Sequence, residues 1–112
     1  MLSKEKKEAL QKAQGGSLIM AQNVKVAVED IIDRDLTIQD YDKIGTDTEE
    51  KHHYFAVTFE ELPGNFVLSG SALTKLIDGA EADGEDIRGE QIRFGAKQRL
   101  DNGRTFVPCT LL

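Results

Sequence analysis

The sequence predicts a small, mostly β domain in which one helix lies between the third and fourth of five strands. Alternating apolar and polar residues mark several short segments, as half-buried strands require. One stretch, residues 71–80, instead has apolar residues at helical spacing. The length of 112 residues leaves room for a single compact domain.

The first three strands follow from the alternation. They are predicted over residues 36–41, 53–59 and 66–69. A polar loop over residues 42–51 separates the first two, and a turn at Pro63-Gly64 precedes the third because this residue pair breaks regular structure.

The helix and the last two strands have equally local signals. Ser69 or Ser71 is predicted to cap the helix, whose apolar residues recur at i, i+3, i+4 and i+7. The fourth and fifth strands are predicted over residues 90–98 and 105–111. The turn at residues 101–103 contains Asn-Gly, which favours a tight hairpin between them.

The N-terminal part, residues 1–28, is predicted to be a helical and extended arm. Its helix spans residues 3–14, with Ser3 as the cap. Residues 17–33 are predicted to be a short extended piece that leads into one turn at residues 29–32, and a helix through residues 17–33 is the alternative. The barrel domain is predicted over residues 29–112.

The order β-β-β-α-β-β is the layout of the OB-fold, a five-stranded barrel in which the helix lies between strands three and four. One face of each strand then fills the barrel, although a bulge would invert part of the assignment. The inward set is Leu36, Ile38, Phe55, Val57, Phe59, Phe66, Leu68, Ile92, Phe94, Val107 and Cys109, with Leu73, Leu76 and Ile77 from the helix. The outward set is Thr37, Gln39, Tyr41, His52, Tyr54, Thr58, Gln91, Arg93, Gly95, Lys97, Arg99, Arg104 and Phe106.

Charge is distributed unevenly along the chain. The formal net charge of −6 lowers the expectation of nucleic-acid binding. Residues 29–50 hold nine acids against two bases and residues 78–87 hold five acids, whereas residues 88–112 hold five bases against two acids. The last quarter of the chain is therefore locally basic, and a local basic groove is sufficient to contact phosphates.

Three predicted outward aromatic residues lie among basic side chains. Aromatic faces stack bases while Lys and Arg follow the phosphates, which is the combination that single-stranded nucleic acid requires. The loops between strands one and two and between strands four and five flank the ligand face of OB-folds. The predicted nucleic-acid-binding residues are Tyr41, Lys43, His52, Tyr54, Arg93, Lys97, Arg99, Arg104 and Phe106.

No catalytic, metal or cofactor motif is visible in the sequence. His52 and His53 are neighbours on a strand, so they point to opposite faces and do not share a metal. Cys109 is predicted to be a core thiol. A single cysteine, the absence of an apolar run of about 18 residues and a polar N-terminus predict a cytoplasmic protein without a membrane span. We expect no enzymatic activity.

A likeness to a known family is carried by residues 30–32, 36–41, 54–59, 66–70, 73–76 and 102–107. On these segments, the chain from residue 30 onward resembles the small OB-fold single-stranded DNA-binding proteins of phages and mobile elements in Gram-positive bacteria. The resemblance implies a non-enzymatic protein that coats single strands during DNA replication or recombination, self-associates as an oligomer such as a dimer, and works beside replication or recombination proteins. The chain departs from cellular members in ending at Leu112 without an acidic tail, so recruitment by a tail is not expected.

The acidic balance supports a second hypothesis. A protein-interaction module on the same barrel would use the acidic segments 29–50 and 78–86 to bind a basic partner protein.

Overall fold

The structure, a computed structural model, describes residues 3, 4, 6, 17–45, 47, 48 and 52–112. It is mostly β with few helices. The elements in chain order are α1 (Leu18–Gln22), β1 (Val24–Lys25), a 3-10 helix (Val28–Ile31), β2 (Asp35–Ile44), β3 (Tyr54–Phe59), β4 (Asn65–Leu68), α2 (Gly70–Ala82), β5 (Gln91–Phe94), β6 (Gln98–Arg99), β7 (Thr105–Phe106) and β8 (Cys109–Leu111).

The predicted arm is described only in part. The helix predicted over residues 3–14 lies almost wholly outside the described residues, although the Ser3 hydroxyl oxygen does accept a hydrogen bond from the Lys6 backbone N–H at 3.2 Å. The extended piece and the turn before residue 32 are confirmed as β1 and the 3-10 helix. Helix α1, which Ser17 caps through the Met20 N–H, was not part of the favoured prediction and covers the start of the stretch for which a helix was the alternative.

Six strands form one sheet in the order β1-β4-β3-β2-β5-β8, and β6 and β7 form a separate hairpin. All pairs are antiparallel except β1 with β4, and β2 is paired on both edges, with β3 and with β5. Among the described strands no ladder joins the edge strands β1 and β8, so the sheet is open. The expectation of a barrel closed by backbone pairing is not met.

The predicted fourth and fifth strands are each interrupted where Gly95 meets Pro108. The Gly95 N–H donates to the Pro108 carbonyl oxygen at 2.8 Å, and a Cβ at Gly95 would lie 2.8 Å from the Pro108 Cγ atom. Proline has no N–H to continue the ladder, so the regular pairing stops there. Beyond this point the β6–β7 hairpin leaves the sheet.

The main core lies between the inner face of the sheet and α2. Most of the predicted inward residues are buried in it, and Val107 and Cys109 pack against its edge. Its fully or almost fully buried members are Ile31, Leu36, Ile38, Tyr41, Phe55, Val57, Phe59, Val67, Leu73, Ile77, Ile87, Ile92 and Phe94.

Tyr41 is the first correction, because the sequence placed it outside and it is only 5% exposed. The pairing of β2 with β3 shifts register between Ile38 and Asp40, so Gln39 is an extra residue in β2. Such a bulge inverts the alternation beyond it. Tyr41 therefore faces inward, opposite Val57.

The orientation of β4 and the exposure of the outer face of β3 are also corrected. Val67 enters the main core, whereas Phe66 and Leu68, predicted inward, pack on the opposite face with Ile19 of α1 and with Ala56. Thr58, predicted to be outward, is only 8% exposed. Three consecutive apolar residues in β4 give no alternation to fix the phase, and α1 supplies an apolar cover that the sequence did not reveal.

Ser69 has a different role from the predicted cap. It makes no capping hydrogen bond. Its hydroxyl oxygen accepts the Phe55 N–H at 2.9 Å and is 2.5 Å from the Thr74 hydroxyl oxygen, both in buried surroundings. Ser69 thus connects the start of β3 to the first turns of α2.

The neighbours Tyr54 and Phe55 test the orientation of β3. Phe55 is 1% exposed, so we expect Phe55→Ala to lower the free energy of unfolding by about 3–5 kcal/mol. Tyr54 is 36% exposed, and Tyr54→Ala is expected to cost below about 1 kcal/mol. Urea unfolding followed by circular dichroism measures both. Equal losses in the two variants would contradict the orientation.

Candidate nucleic-acid interface

Tyr41 belongs to the structural core and is unavailable for base stacking. Its ring meets Phe55 edge-on with centroids 5.7 Å apart, and the Arg88 guanidinium lies 4.0 Å from the ring centroid. Its hydroxyl donates to the Asp86 carboxylate at 3.2 Å. Burial raises the pKa of Tyr41. Its hydroxyl and ring serve to hold the 86–88 segment against β2.

Two of the predicted phosphate-binding cations are already paired with carboxylates. An Arg93 guanidinium nitrogen lies 2.6 Å from an Asp35 oxygen, and the Lys97 Nζ atom lies 3.3 Å from a Glu29 oxygen. The pKa of Glu29 is lowered by a hydrogen bond from its own backbone N–H and then by Lys97. Phosphate would have to compete with these carboxylates, so neither cation is poised for DNA.

Arg99 and Arg104 lie in the β6–β7 hairpin and are exposed. Within the described part of the chain, neither side chain has an ion-pair partner. The Leu100 N–H donates to the Arg104 carbonyl oxygen at 2.8 Å, and Gly103 has a φ of +80° in the tight turn that the sequence predicted. The hairpin thus carries two uncompensated guanidinium groups away from the sheet.

Phe106 lies at a cleft in the open seam of the sheet, which we call the hairpin cleft. This cleft has a volume of about 310 Å³ and lies among β7, the chain around the 3-10 helix and the start of α2. Phe106 is half-buried in its wall, and exposed Lys25 lies in the same wall. Lys25 has no ion-pair partner among the described residues.

A second cleft, which we call the loop cleft, lies beside helix α2 and has a volume of about 530 Å³. His52, Tyr54 and Lys75 line it, together with the carboxylates of Asp47 and Asp78. Tyr54 is partly exposed here, as predicted, and Lys75 has no ion pair to any described residue. The loop cleft therefore repeats the combination of one aromatic ring with one uncompensated lysine.

The two clefts meet at the N-terminal end of α2. Gly70 and Ser71 line both of them. Of the predicted site residues, the clefts bring together His52, Tyr54 and Phe106, and the adjoining hairpin adds Arg99 and Arg104. Lys43 is exposed at the end of β2 but lines neither cleft.

Lys25 and Lys75 were not predicted as site residues from the sequence. Lys25 lies in an alternating segment that was assigned to the arm, and Lys75 is an ordinary exposed position on an amphipathic helix. Only the pairing of β1 with β4 brings Lys25 to the seam. A helical projection would have shown Lys75 on the polar face of α2, but not its neighbour Tyr54 on β3.

His53 connects the loop to α2 and forms part of the wall of the loop cleft. Its Nδ1 atom lies 2.8 Å from an Asp47 oxygen and its Nε2 atom 2.7 Å from an Asp78 oxygen. The Asp78 hydrogen bond, and then that of Asp47, raises the pKa of His53. The pKa of Asp47 is lowered, chiefly because its carboxylate accepts the His53 backbone N–H.

The described residues contain no cluster of His, Cys, Asp or Glu that could hold a metal ion. Cys109 is partly buried against the core, and burial raises the pKa of its thiol to about 12. Such a thiol is a poor nucleophile at neutral pH because almost none of it is thiolate. Within the described chain there is also no helix of the length and apolar character that crossing a membrane demands.

Comparison of the chain with family models, with curated proteins and with solved structures found no match. The resemblance to single-stranded DNA-binding proteins of phages and mobile elements therefore stays a prediction from the sequence pattern.

The His53 contacts predict a pH-dependent stability. The pKa of His53 is higher in the folded chain than in the unfolded chain, so protonation favours folding. This contribution is complete below about pH 6.5, the ordinary histidine value, and is lost as the pH rises through the raised folded-state pKa. We expect the melting temperature to fall over that window, and His53→Gln to remove this part of the fall.

His52→Gln is the matched control. His52 is the adjacent histidine, is exposed, and its side chain has no hydrogen bond to any described residue. The His52→Gln variant should keep the wild-type dependence of melting temperature on pH. If His53→Gln keeps it as well, His53 does not make this contribution.

Proposed function

We propose that this protein is a non-enzymatic, sequence-tolerant single-stranded DNA-binding protein that serves the replication or recombination of a phage or mobile element. The observation that carries the proposal is the pair of adjoining clefts, each with one accessible aromatic ring and one uncompensated lysine. The hairpin cleft has Phe106 with Lys25, and the loop cleft has Tyr54 with Lys75. Each cleft thus offers one stacking surface beside one lysine. The carboxylates in the same walls, Glu29 in one cleft and Asp47 and Asp78 in the other, are paired with Lys97 and His53.

The connectivity supports an OB-type fold as the framework for this function. A long first strand, β2, pairs with the second and the fourth strands, and α2 lies between the third and fourth, as the OB layout requires. An OB barrel would close by pairing β4 with β8. Here β1 pairs with β4 instead, and the hairpin cleft lies in the open seam that remains. We propose that the ligand lies along this seam.

Beyond Tyr54, the outer face of β3 is an inferior binding surface. Ile19 covers Ala56 there, and the neighbouring strand β2 presents Asp40 and Asp42 on the same face. Carboxylates repel phosphates, and a covered alanine offers no surface for stacking. The clefts and the hairpin are therefore the surfaces that best fit DNA.

The strength and salt dependence of binding follow from the number of contacts. Each stacked base contributes about 1–3 kcal/mol. Each phosphate contact on a single strand contributes about −0.7 to the slope of log affinity against log salt. Four contacts give a slope of about −3. The cations that would make them have no carboxylate partner among the described residues and are Lys25, Lys75, Arg99 and Arg104. Affinity is expected to be high at low salt and modest at physiological salt.

Titration of a fluorescent oligo-dT of about 16 nucleotides at several salt concentrations tests the proposal by anisotropy. Tyr54→Leu and Phe106→Leu keep apolar bulk but remove a ring, so each should weaken binding by about 1–3 kcal/mol. Tyr41→Phe is the control for an aromatic residue in the core and should bind like the wild type. A duplex of the same length should bind more weakly because its bases are already stacked.

A second pair of variants separates uncompensated from paired cations. Arg104→Ala should reduce the salt slope by about 0.7. Arg93→Ala removes the same charge but from a residue held by Asp35, and should leave the slope near its wild-type value. Absence of binding at low salt, or equal effects of the two variants, would overturn the proposed surface.

The acidic surface leaves one alternative with an observation in its favour. Glu81, Asp83 and Glu85 are exposed, and none has an ion pair within the described residues. A basic partner protein that is captured from nuclease-treated lysate, together with no binding to oligo-dT, would favour the protein-interaction module over DNA binding.

A further inference from the structure

We propose that copies of this chain associate head to tail, with the hairpin tip of one copy docked in an acid-rimmed groove at the opposite end of the next. The hairpin tip consists of Leu100 with Arg99 and Arg104. The groove, which we call the end groove, has a volume of about 500 Å³ beside the C-terminal half of α2.

The hairpin tip is an apolar side chain between two positive charges. Leu100 is 43% exposed, a large fraction for a leucine at the end of a two-residue strand. The two arginines that flank the turn have no ion-pair partner among the described residues. Asp101, in the turn itself, opposes them with one charge, so the tip is apolar with a net positive charge.

The end groove has the complementary character. Its apolar surface comes from Leu76, Ala80 and Leu111, the last of which is 46% exposed. Exposed Asp83, Glu85 and Glu90 lie along the same groove, and the described residues contain no ion-pair partner for them. Lys75 is one opposing charge in the lining, and Asp86 is already paired with Arg88.

The two surfaces lie at opposite ends of the β5–β8 ladder. Phe94 pairs with Cys109 at the end from which the hairpin departs, and Ile92 pairs with Leu111 at the end that borders the groove. In the structure the hairpin therefore lies away from the groove of its own chain, and no hairpin residue lines that groove. After docking, each pair still presents one unused hairpin and one unused groove, so the contact propagates into rings or filaments.

The charge complementarity favours a second copy as the occupant. Carboxylates around an apolar groove select an apolar residue flanked by cations, and the chain itself carries one in Leu100. Solvent-exposed charge pairs at the rim of such a contact mainly give specificity and salt dependence, while the leucine supplies the apolar contact area. Self-association should therefore weaken as salt rises.

Sedimentation velocity without DNA, at increasing protein concentration and low salt, tests the proposal. The wild type should show a mass increase that continues past the dimer. Leu100→Asp should weaken association by at least about tenfold, because it places a carboxylate against an acidic rim. Met20→Asp alters an apolar residue of similar exposure that belongs to neither surface, and should leave association unchanged.

The groove is tested by substitutions at Gly79, which lines it. A Cβ added at Gly79 meets nothing within 4 Å, so both variants should fold. Gly79→Arg fills the groove with bulk and positive charge and should abolish association. Gly79→Ala, its matched control, adds one methyl group and should associate like the wild type. Circular dichroism verifies that every variant is folded.

Mixing the two defective variants is the decisive step. Leu100→Asp retains its groove and Gly79→Arg retains its hairpin, so an equimolar mixture should form a 1:1 complex and grow no further. A wild type that stays monomeric at low salt, variants that associate normally, or a mixture without the 1:1 complex would each overturn the proposal. Neither Leu100 nor Gly79 lines the DNA clefts, and the sedimentation is measured without DNA, so failure of this proposal is distinguishable from failure of the DNA titration.

Discussion

The double pairing of β2 is the constraint on which the rest of the structure depends. This strand is hydrogen-bonded to β3 on one edge and to β5 on the other, so the whole sheet is built outward from it. The bulge at Gln39 divides β2 into two parts in which opposite positions of the alternation face the core. Before the bulge Leu36 and Ile38 face the core, and after it Tyr41 does. The same shift leaves the Asp40 carboxylate within 2.7 Å of Arg88 and so attaches the segment before β5.

Helix α1 covers the part of the outer face of β3 around Ala56, and this cover limits where a ligand could lie. Helix α1 has only five residues and is too short to be stable alone. Ile19 packs against Ala56 and Phe66, and the Asp42 carboxylate accepts hydrogen bonds from the Ser17 hydroxyl and the Ile19 N–H. With the part of that face around Ala56 occupied, the accessible aromatic rings are Phe106 at the seam and Tyr54 beside α2. The arm thus shapes the candidate site by excluding the alternative surface.

Local signals predicted much of the fold and less of the site. Alternation placed Phe55, Val57 and Phe59 correctly because β3 has a clean period of two, and the Asn-Gly turn gave the hairpin. The predicted orientation of Tyr41 was wrong because nothing in the sequence indicated the bulge before it. The predicted orientation of Phe66 was wrong because its apolar neighbours give no alternation from which to assign the faces of β4. Arg93 was chosen for its charge alone, whereas its pairing with Asp35 is a cross-strand contact that only the register of β2 with β5 creates.

Net charge is a poor guide to the binding surfaces of this molecule because ion pairs leave unpaired cations and unpaired carboxylates in different places. Arg88, Arg93 and Lys97 each form an ion pair with a carboxylate, and only the Arg93–Asp35 pair joins two strands. Unpaired cations remain on the hairpin and beside the clefts, and unpaired acids remain near the end of α2, among the described residues. Arg99 and Arg104 can serve phosphates or the acidic rim of another copy, but not both at once. A strand of DNA that occupies the hairpin therefore competes with docking at that same hairpin while leaving the end groove of its own copy open. In the two proposals, DNA binding and assembly are therefore coupled through these two arginines, and salt is expected to weaken both.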